Sequence, residues 1–347
     1  MPELLAVRDL VKHFPARRGF LGRRSAKVHA VDGVSFTLGE NETLGLVGES
    51  GCGKSTTGFS ILRLIEPTGG EVLFQGENIL TLDPESLRRL RRKMQIVFQD
   101  PFGSLNPRLT VERIIEEPLL NHEALSGAER RGRVKESLEM VGLLPEHMTR
   151  FPHEFSGGQR QRICVARALV LRPQLVVGDE PVSALDVSVR AQVLNLMVKL
   201  QRQLKLSYLF ISHDLAVIRY VSHRVGVMYL GQIVELADVK AIYARPLHPY
   251  TWALLSAVPV PDPRRSRKRI ILTGDVPSPL DPPPGCRFHP RCPEVMAVCK
   301  EQAPLTRVAE GNHLVRCHLY DGADVWNPPI QVSATDAVNH STQGGSA

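Results

Sequence analysis

Nine consecutive residues, Gly48-Glu-Ser-Gly-Cys-Gly-Lys-Ser-Thr56, limit what this chain can fold into more than any other stretch. They meet the pattern G-x-x-x-x-G-K-[ST]. The preceding Glu42-Thr-Leu-Gly-Leu-Val47 predicts a buried strand, and Thr57–Ile65 has helical spacing. A glycine-rich loop between strand and helix turns successive backbone N–H groups toward a phosphate chain at the helix N-terminus. Gly48, Ser50, Gly51, Gly53, Lys54, Ser55 and Thr56 are therefore candidate triphosphate contacts. Lys54 can reach the β- and γ-phosphates, and the Ser55 hydroxyl can hold Mg²⁺. The expectation is an α/β chain that binds a nucleoside triphosphate.

The rest of the pattern agrees with that unit. Leu4–Phe14 and Val28–Leu38 alternate and read as strands joined by a basic loop; Gly70–Phe74 and Met94–Gln99 read as further strands. Val111–Leu120, Ala128–Val141 and Gln159–Leu169 have helical spacing, so residues 110–170 form a helical insertion. Leu175–Val177 and Tyr208–Ile211 return as short apolar strands around a long helix, Ser188–Leu204, and Val225–Tyr229 and Ile233–Leu236 close around Gly231. Strands alternating with helices predict a mainly parallel sheet covered by helices. Beyond Val258 prolines dominate. We expect an ATPase-type domain over 1–258, a linker over 259–284, a small cysteine-bearing module over 285–329 and a disordered tail over 330–347.

Lys and Arg number 43 against 36 Asp and Glu, a formal charge of +7. The excess gathers at Arg17, Arg18, Arg23, Arg24 and Lys27, and again at Arg264, Arg265, Arg267, Lys268 and Arg269. Neither cluster interleaves aromatics, so both read as solvated loops rather than as a nucleic-acid groove. No apolar run approaches the roughly 20 residues that span a bilayer, and the N-terminus lacks the regions of a secretory signal.

Leu175-Val-Val-Gly-Asp-Glu180 brings two carboxylates to the end of an apolar strand, where open α/β sheets place their ligands. Asp179 can organise Mg²⁺, and Glu180 can align and deprotonate a water. Phe155-Ser-Gly-Gly-Gln-Arg-Gln-Arg162 opens a helix with a hydroxyl and bare N–H groups, a second anion site. With this segment the chain resembles the ATPase subunits of ABC transporters over about residues 4–258. The resemblance implies a P-loop ATPase core with an antiparallel β subdomain. It implies that Gln99 in Val97-Phe-Gln-Asp-Pro101 contacts Mg²⁺ or water, and that Asp186 in Ser183-Ala-Leu-Asp186 communicates across a dimer. It also implies that His213 in Ile211-Ser-His-Asp214 contacts the γ-phosphate and supports Glu180, and that Phe14 stacks on adenine. Two such domains would sandwich two ATP molecules head to tail, with Ser156, Gly157, Gly158 and Gln159 facing the partner's nucleotide.

Asp100-Pro-Phe-Gly-Ser-Leu-Asn-Pro107, Arg245–Ser256 and Gly285-Cys-Arg-Phe-His-Pro-Arg-Cys292 resemble the peptide-importer branch (dipeptide, oligopeptide and nickel uptake). That implies a second, often different, ATPase subunit, two transmembrane permease subunits, an extracytoplasmic binding protein and a position at the inner face of the membrane. Of six cysteines, Cys286, Cys292, Cys299 and Cys317 cluster, while Cys52 and Cys164 read as structural, Cys52 also as an oxidation-sensitive spot. The spacing of the four lacks the C-x₂-C pairs usual for zinc and suits four single ligands from loops. Some members of the branch are understood to carry a [4Fe–4S] cluster, which we favour here; Zn²⁺ and simple packing remain open, with His289, His313 and His318 as substitute ligands. Rival readings are a non-transport ABC ATPase on nucleic acid or ribosomes, and an exporter subunit.

Overall fold

In the computed structural model, which describes residues 2–18, 24–258 and 269–322, the first two strands are long. Strands β1 (Glu3–Arg18) and β2 (Arg24–Gly39) form an antiparallel ribbon. Along β2, Val34, Phe36 and Leu38 are buried while Ser35 and Thr37 are exposed, the period-2 pattern of a half-buried strand. Strand β3 (Thr43–Val47) leads through the glycine-rich loop into helix α1 (Lys54–Ile61). The antiparallel sheet continues with β4 (Gly69–Phe74) and β5 (Glu77–Asn78), in the order β2-β1-β4-β5.

Helix α2 (Pro84–Arg91), absent from the sequence reading, is nearly all polar; its start is marked by Asp83, whose carboxylate accepts from the N–H groups of Glu85 and Ser86. Strand β6 (Met94–Val97) follows, then the helical block α3 (Pro101–Ser104), α4 (Val111–His122), α5 (Gly127–Met140) and α6 (Gly157–Leu169). The chain returns to the sheet through β7 (Leu175–Asp179), α7 (Val187–Leu204), β8 (Ser207–Ser212), α8 (Leu215–Val221), β9 (Arg224–Tyr229) and β10 (Gln232–Asp238). Helices α9 (Val239–Ala244), α10 (Pro249–Ser256) and α11 (Ala297–Glu301) precede a hairpin, β11 (Thr306–Glu310) and β12 (His313–Arg316).

The main sheet has the order β11-β12-β10-β9-β3-β8-β7-β6. Strands β6, β7, β8, β3 and β9 are parallel, and β10, β12 and β11 extend them antiparallel. Every residue of β3, β7 and β8 is buried, as expected of strands covered on both faces. One core lies between the two sheets, around Leu5, Leu10, Phe74, Leu46 and Ile211; the other joins the main sheet to the helical block, around Ile115, Leu138, Ile163 and Phe210. The C-terminal hairpin is thus continuous with the main sheet through the pairing of Glu235 and Leu236 with Val315 and Leu314. Arg23, most of the second basic cluster (Arg264, Arg265, Arg267 and Lys268) and the tail after 330 lie outside the described residues. No helix among the described residues is long and apolar enough to cross a membrane.

Candidate active site

Because β3, β6, β7 and β8 run parallel, their carboxyl ends share one edge, and each delivers a polar group there. The loop after β3 carries Lys54 and Ser55, β6 is followed by Gln99, β7 ends in Asp179 with Glu180 next, and β8 is followed by His213. Ser50, Gly51, Gly53, Lys54, Ser55, Thr56, Gln99, Glu180 and His213 line one pocket of about 440 Å³.

The loop takes its path from glycine. Gly53 has φ +103°, and a Cβ on it would lie 2.1 Å from the carbonyl oxygen of Ala30. A Cβ on Gly48 would lie 2.2 Å from Met228 O. The loop thus packs backbone to backbone on β2 and β9. Helix α1 starts at Lys54, earlier than its apolar pattern suggests, because Gly53 makes the turn. Lys54 is 5% exposed, and its ammonium donates to the carbonyls of Gly48 (2.8 Å) and Glu49 (3.0 Å). Its charge is held within the loop, where phosphate oxygens would be its partners.

The Ser55 hydroxyl donates to Asp179 Oδ1 at 2.6 Å. Burial pushes the Asp179 carboxyl above its ordinary range, the Ser55 bond and Lys54 oppose that shift, and Glu180 adds to it. A hydroxyl and a buried carboxylate side by side at a phosphate loop are hard oxygen donors that suit Mg²⁺, whose charge would favour the ionised carboxylate. Glu180 follows at φ +45°, a strained conformation for a residue with a side chain, and its N–H is held by Ile211 O at 3.0 Å. Its Oε2 accepts from Gln99 Nε2 (3.2 Å) and pairs with His213 Nδ1 (3.1 Å). A carboxylate oxygen only accepts, so in this contact His213 Nδ1 is the donor. The two contacts fix a base facing the pocket.

Other expected residues lie elsewhere. Phe14 does not line the pocket; it is half-buried under Lys12, opposite Val28, which does line it. Ser156, Gly157, Gly158, Gln159 and Asp186 lie outside the pocket as well. Ser156 caps α6, accepting from Gln159 N–H while the Gln159 side chain accepts from Ser156 N–H. Asp186 is exposed at the start of α7. Sequence reading missed the proline-rich wall: Pro279 lines the pocket and its carbonyl accepts from His29 N–H at 2.9 Å. Only the proline spacing could have hinted at it.

The four C-terminal cysteines converge, Cys286, Cys292 and Cys317 from loops and Cys299 from helix α11, close enough for each of the six pairs of thiols to interact electrostatically. Gly285, at φ +65°, lets Cys286 N–H reach Cys299 O at 2.8 Å; a Cβ there would lie 2.5 Å from that oxygen. Burial pushes the Cys292 thiol up to about 12 and raises those of Cys286 and Cys317, the neighbouring thiols adding to it. Backbone N–H groups of Phe288 and His289 lie against Cys286, Glu294 against Cys292 and Leu319 against Cys317. Among the described residues, no three of these sulfurs lie within 4.8 Å of one another. His313 is committed to Glu235 (2.7 Å), and both ring nitrogens of His318 are taken, by Asp321 and Gln302 O, which removes it as a ligand. Cys52 is buried with its thiol pushed up by that burial, so it is poor in the thiolate that oxidation needs.

Comparison with known proteins bears on this arrangement. Residues 31–183 match the ABC transporter family, and residues 234–299 match the oligopeptide/dipeptide transporter C-terminal region. The oligopeptide transport ATP-binding protein AppF of Bacillus subtilis is 56% identical over 320 residues, covering 91% of this chain and 97% of its own. A probable peptide ABC transporter ATP-binding protein of Sinorhizobium fredii is 52% identical over 316 residues, covering 91% and 90%. Among solved structures, the ATP-binding cassette MJ0796, a dimer bound to ADP and Pi, superposes with a TM-score of 0.60 at 30% identity over 68% of this chain and 99% of its own. The cassette cbiO1 of Clostridium perfringens gives 0.60 at 26% identity, over 70% and 92%. With its phosphate loop, paired carboxylates and C-terminal region, the chain belongs to the ATP-binding subunits of ABC transporters, in the oligopeptide/dipeptide group.

Proposed function

We propose that this chain hydrolyses ATP to power import of di- and oligopeptides through a membrane ABC transporter, bound to the cytoplasmic face of the membrane. One observation carries the hydrolytic part: Glu180, held by Gln99 and His213, shares a pocket with Lys54 and Ser55, the latter bonded to Asp179. Lys54 and the loop N–H groups bind the phosphates, Ser55 and Asp179 would hold Mg²⁺, and Mg²⁺ would supply charge neutralisation at the phosphates. The Glu180 carboxylate takes the proton of the attacking water, and His213 steadies it.

Ser156, exposed at the start of α6 and outside this pocket, is open to a partner's nucleotide, which supports a head-to-tail pair of ATPase subunits. Two permease subunits and an extracytoplasmic binding protein complete the assembly. Peptides are favoured as cargo by the names of the relatives. Nickel chelates, glutathione-like peptides and sugars are the alternatives.

For the four thiols we favour a [4Fe–4S] cluster over zinc. One tetrahedral zinc holds its sulfurs about 3.8 Å apart, from Zn–S bonds of about 2.3 Å, whereas a cluster seats its ligands farther apart. The backbone N–H groups beside three of the sulfurs would stabilise thiolates. Iron and sulfide of about four each in anaerobic protein would support the cluster; one zinc or no metal would overturn it. The function itself is tested by uptake of labelled peptide into vesicles holding the assembled transporter. Glu180→Gln should abolish uptake and hydrolysis while retaining ATP, and normal hydrolysis by this variant would overturn the role of Glu180.

A further inference from the structure

The phosphate loop contains a carboxylate of its own. Glu49 lies between Gly48 and Ser50, in a loop that must receive a highly anionic triphosphate. Its charge is neutralised from the far end of the chain. Arg291 donates from Nη1 to Glu49 Oε2 (2.8 Å) and from Nη2 to Oε1 (3.2 Å), a bidentate pair, and the arginine side chain is only 9% exposed.

The rest of that segment is fastened around the same loop. Phe288 is buried against Tyr229 and Tyr250, and the Tyr250 hydroxyl accepts from Glu49 N–H at 2.9 Å. Arg287 donates to Asp32 and to Leu230 O, while Gly231 N–H donates to Cys52 O at 2.9 Å. Cys286 and Cys292 bracket these anchors, so whatever fixes the two thiols fixes the backbone that carries Arg291.

We propose that Arg291 is a positioning residue for nucleotide binding: by pairing with Glu49 it removes a repulsive charge from the phosphate loop and holds the loop in register. The inference rests on the ATPase reading above and ties nucleotide affinity to the cysteine-bearing segment. Arg291 touches no phosphate; it acts through Glu49. Without it, the loop that receives the triphosphate carries an uncompensated, half-buried carboxylate.

The test is affinity for a fluorescent ATP analogue, methylanthraniloyl-ATP, on the full chain, with KM and kcat for ATP on the assembled transporter. Arg291→Gln should weaken binding about tenfold, in the range of site-to-site coupling, with the loss falling on KM. Arg291→Lys, which keeps the charge but not the fork, should fall between. The deciding variant is the double Glu49→Gln/Arg291→Gln, which should return affinity to within about twofold of the starting protein, since no bare carboxylate remains. A merely structural role predicts a double variant as weak as Arg291→Gln, and that result would overturn the proposal. Unchanged affinity in Arg291→Gln would do the same. Should Arg291→Gln not fold, the comparison of Glu49→Asp with Glu49→Gln decides. The proposal requires the aspartate, charged but too short for the pair, to bind more weakly than the glutamine; the reverse order overturns it. Failure of the unaltered chain to bind the analogue would instead reject the ATPase reading, with Lys54→Ala as the non-binding control.

Discussion

The nucleotide pocket and the thiol segment use the same side-chain chemistry in opposite ways. In the pocket each polar group is delivered by the end of a parallel strand or the turn that follows it, and the groups bond to one another: Lys54 to its loop, Ser55 to Asp179, Gln99 and His213 to Glu180. In the thiol segment the sulfurs come from loops and one short helix, without strand periodicity, and bonds run outward, from Arg287 and Arg291 to Asp32 and Glu49. A site built on a sheet edge is fixed by the fold. A site built on turns is fixed by what it grips.

If this contrast is right, the largest effect of any substitution belongs to the sheet edge. Glu180→Gln should lower the hydrolysis rate by about 10³-fold, within the span of general-base catalysis, with analogue affinity kept. A rate loss below tenfold would break the contrast.

Next in size is a pH effect at the junction between the regions. His248 is fully buried and caps α10, its Nδ1 accepting from Tyr250 N–H at 3.1 Å. Burial pushes its pKa down from 6.5 to about 4, with Glu235 opposing. The unfolded chain therefore binds the extra proton first. This contribution to stability is complete above pH 6.5 and is lost as pH falls toward 4, on the order of 3 kcal/mol. Urea midpoints across that window should fall, and His248→Asn, which keeps a capping acceptor but cannot titrate, should flatten the slope.

Gly53→Ala sharpens the comparison at the loop. The left-handed φ and the contact with Ala30 O should cost about 1–3 kcal/mol and remove analogue binding, read by melting and by titration. The smallest effect is expected where turns, not strands, hold the group. In metal-free protein Cys317→Ala should cost only about 1 kcal/mol of stability; in protein carrying a cluster the same change should remove the iron.

Legibility followed the same division. The β3–loop–α1 unit, the apolar strands ahead of Asp179 and His213, and the helical insertion each carry a period or a motif, and the structure shows those elements where the pattern puts them, within a few residues. Helix α2 is short and buries only Leu87 and Leu90, and it escaped notice because its cap and salt bridges define it. Pro279 and Arg291 reach the loop across more than two hundred residues, and neither has a local signature; only folding brings them to Val28 and Glu49. Phe14 is a third case: the resemblance, with no local pattern, put it at the nucleotide, and in the ribbon it lies under Lys12.

The strand β12 has a consequence beyond the chemistry. By pairing with β10 it covers the backbone edge of a strand that carries the buried Val234 and Leu236. Cutting the chain after Val258 would uncover that edge, a template on which a second copy could add its own strand. Shortened chains of this kind would be lost to self-association and poor recovery, while the carboxylates and histidine at the ends of β7 and β8 stayed in place.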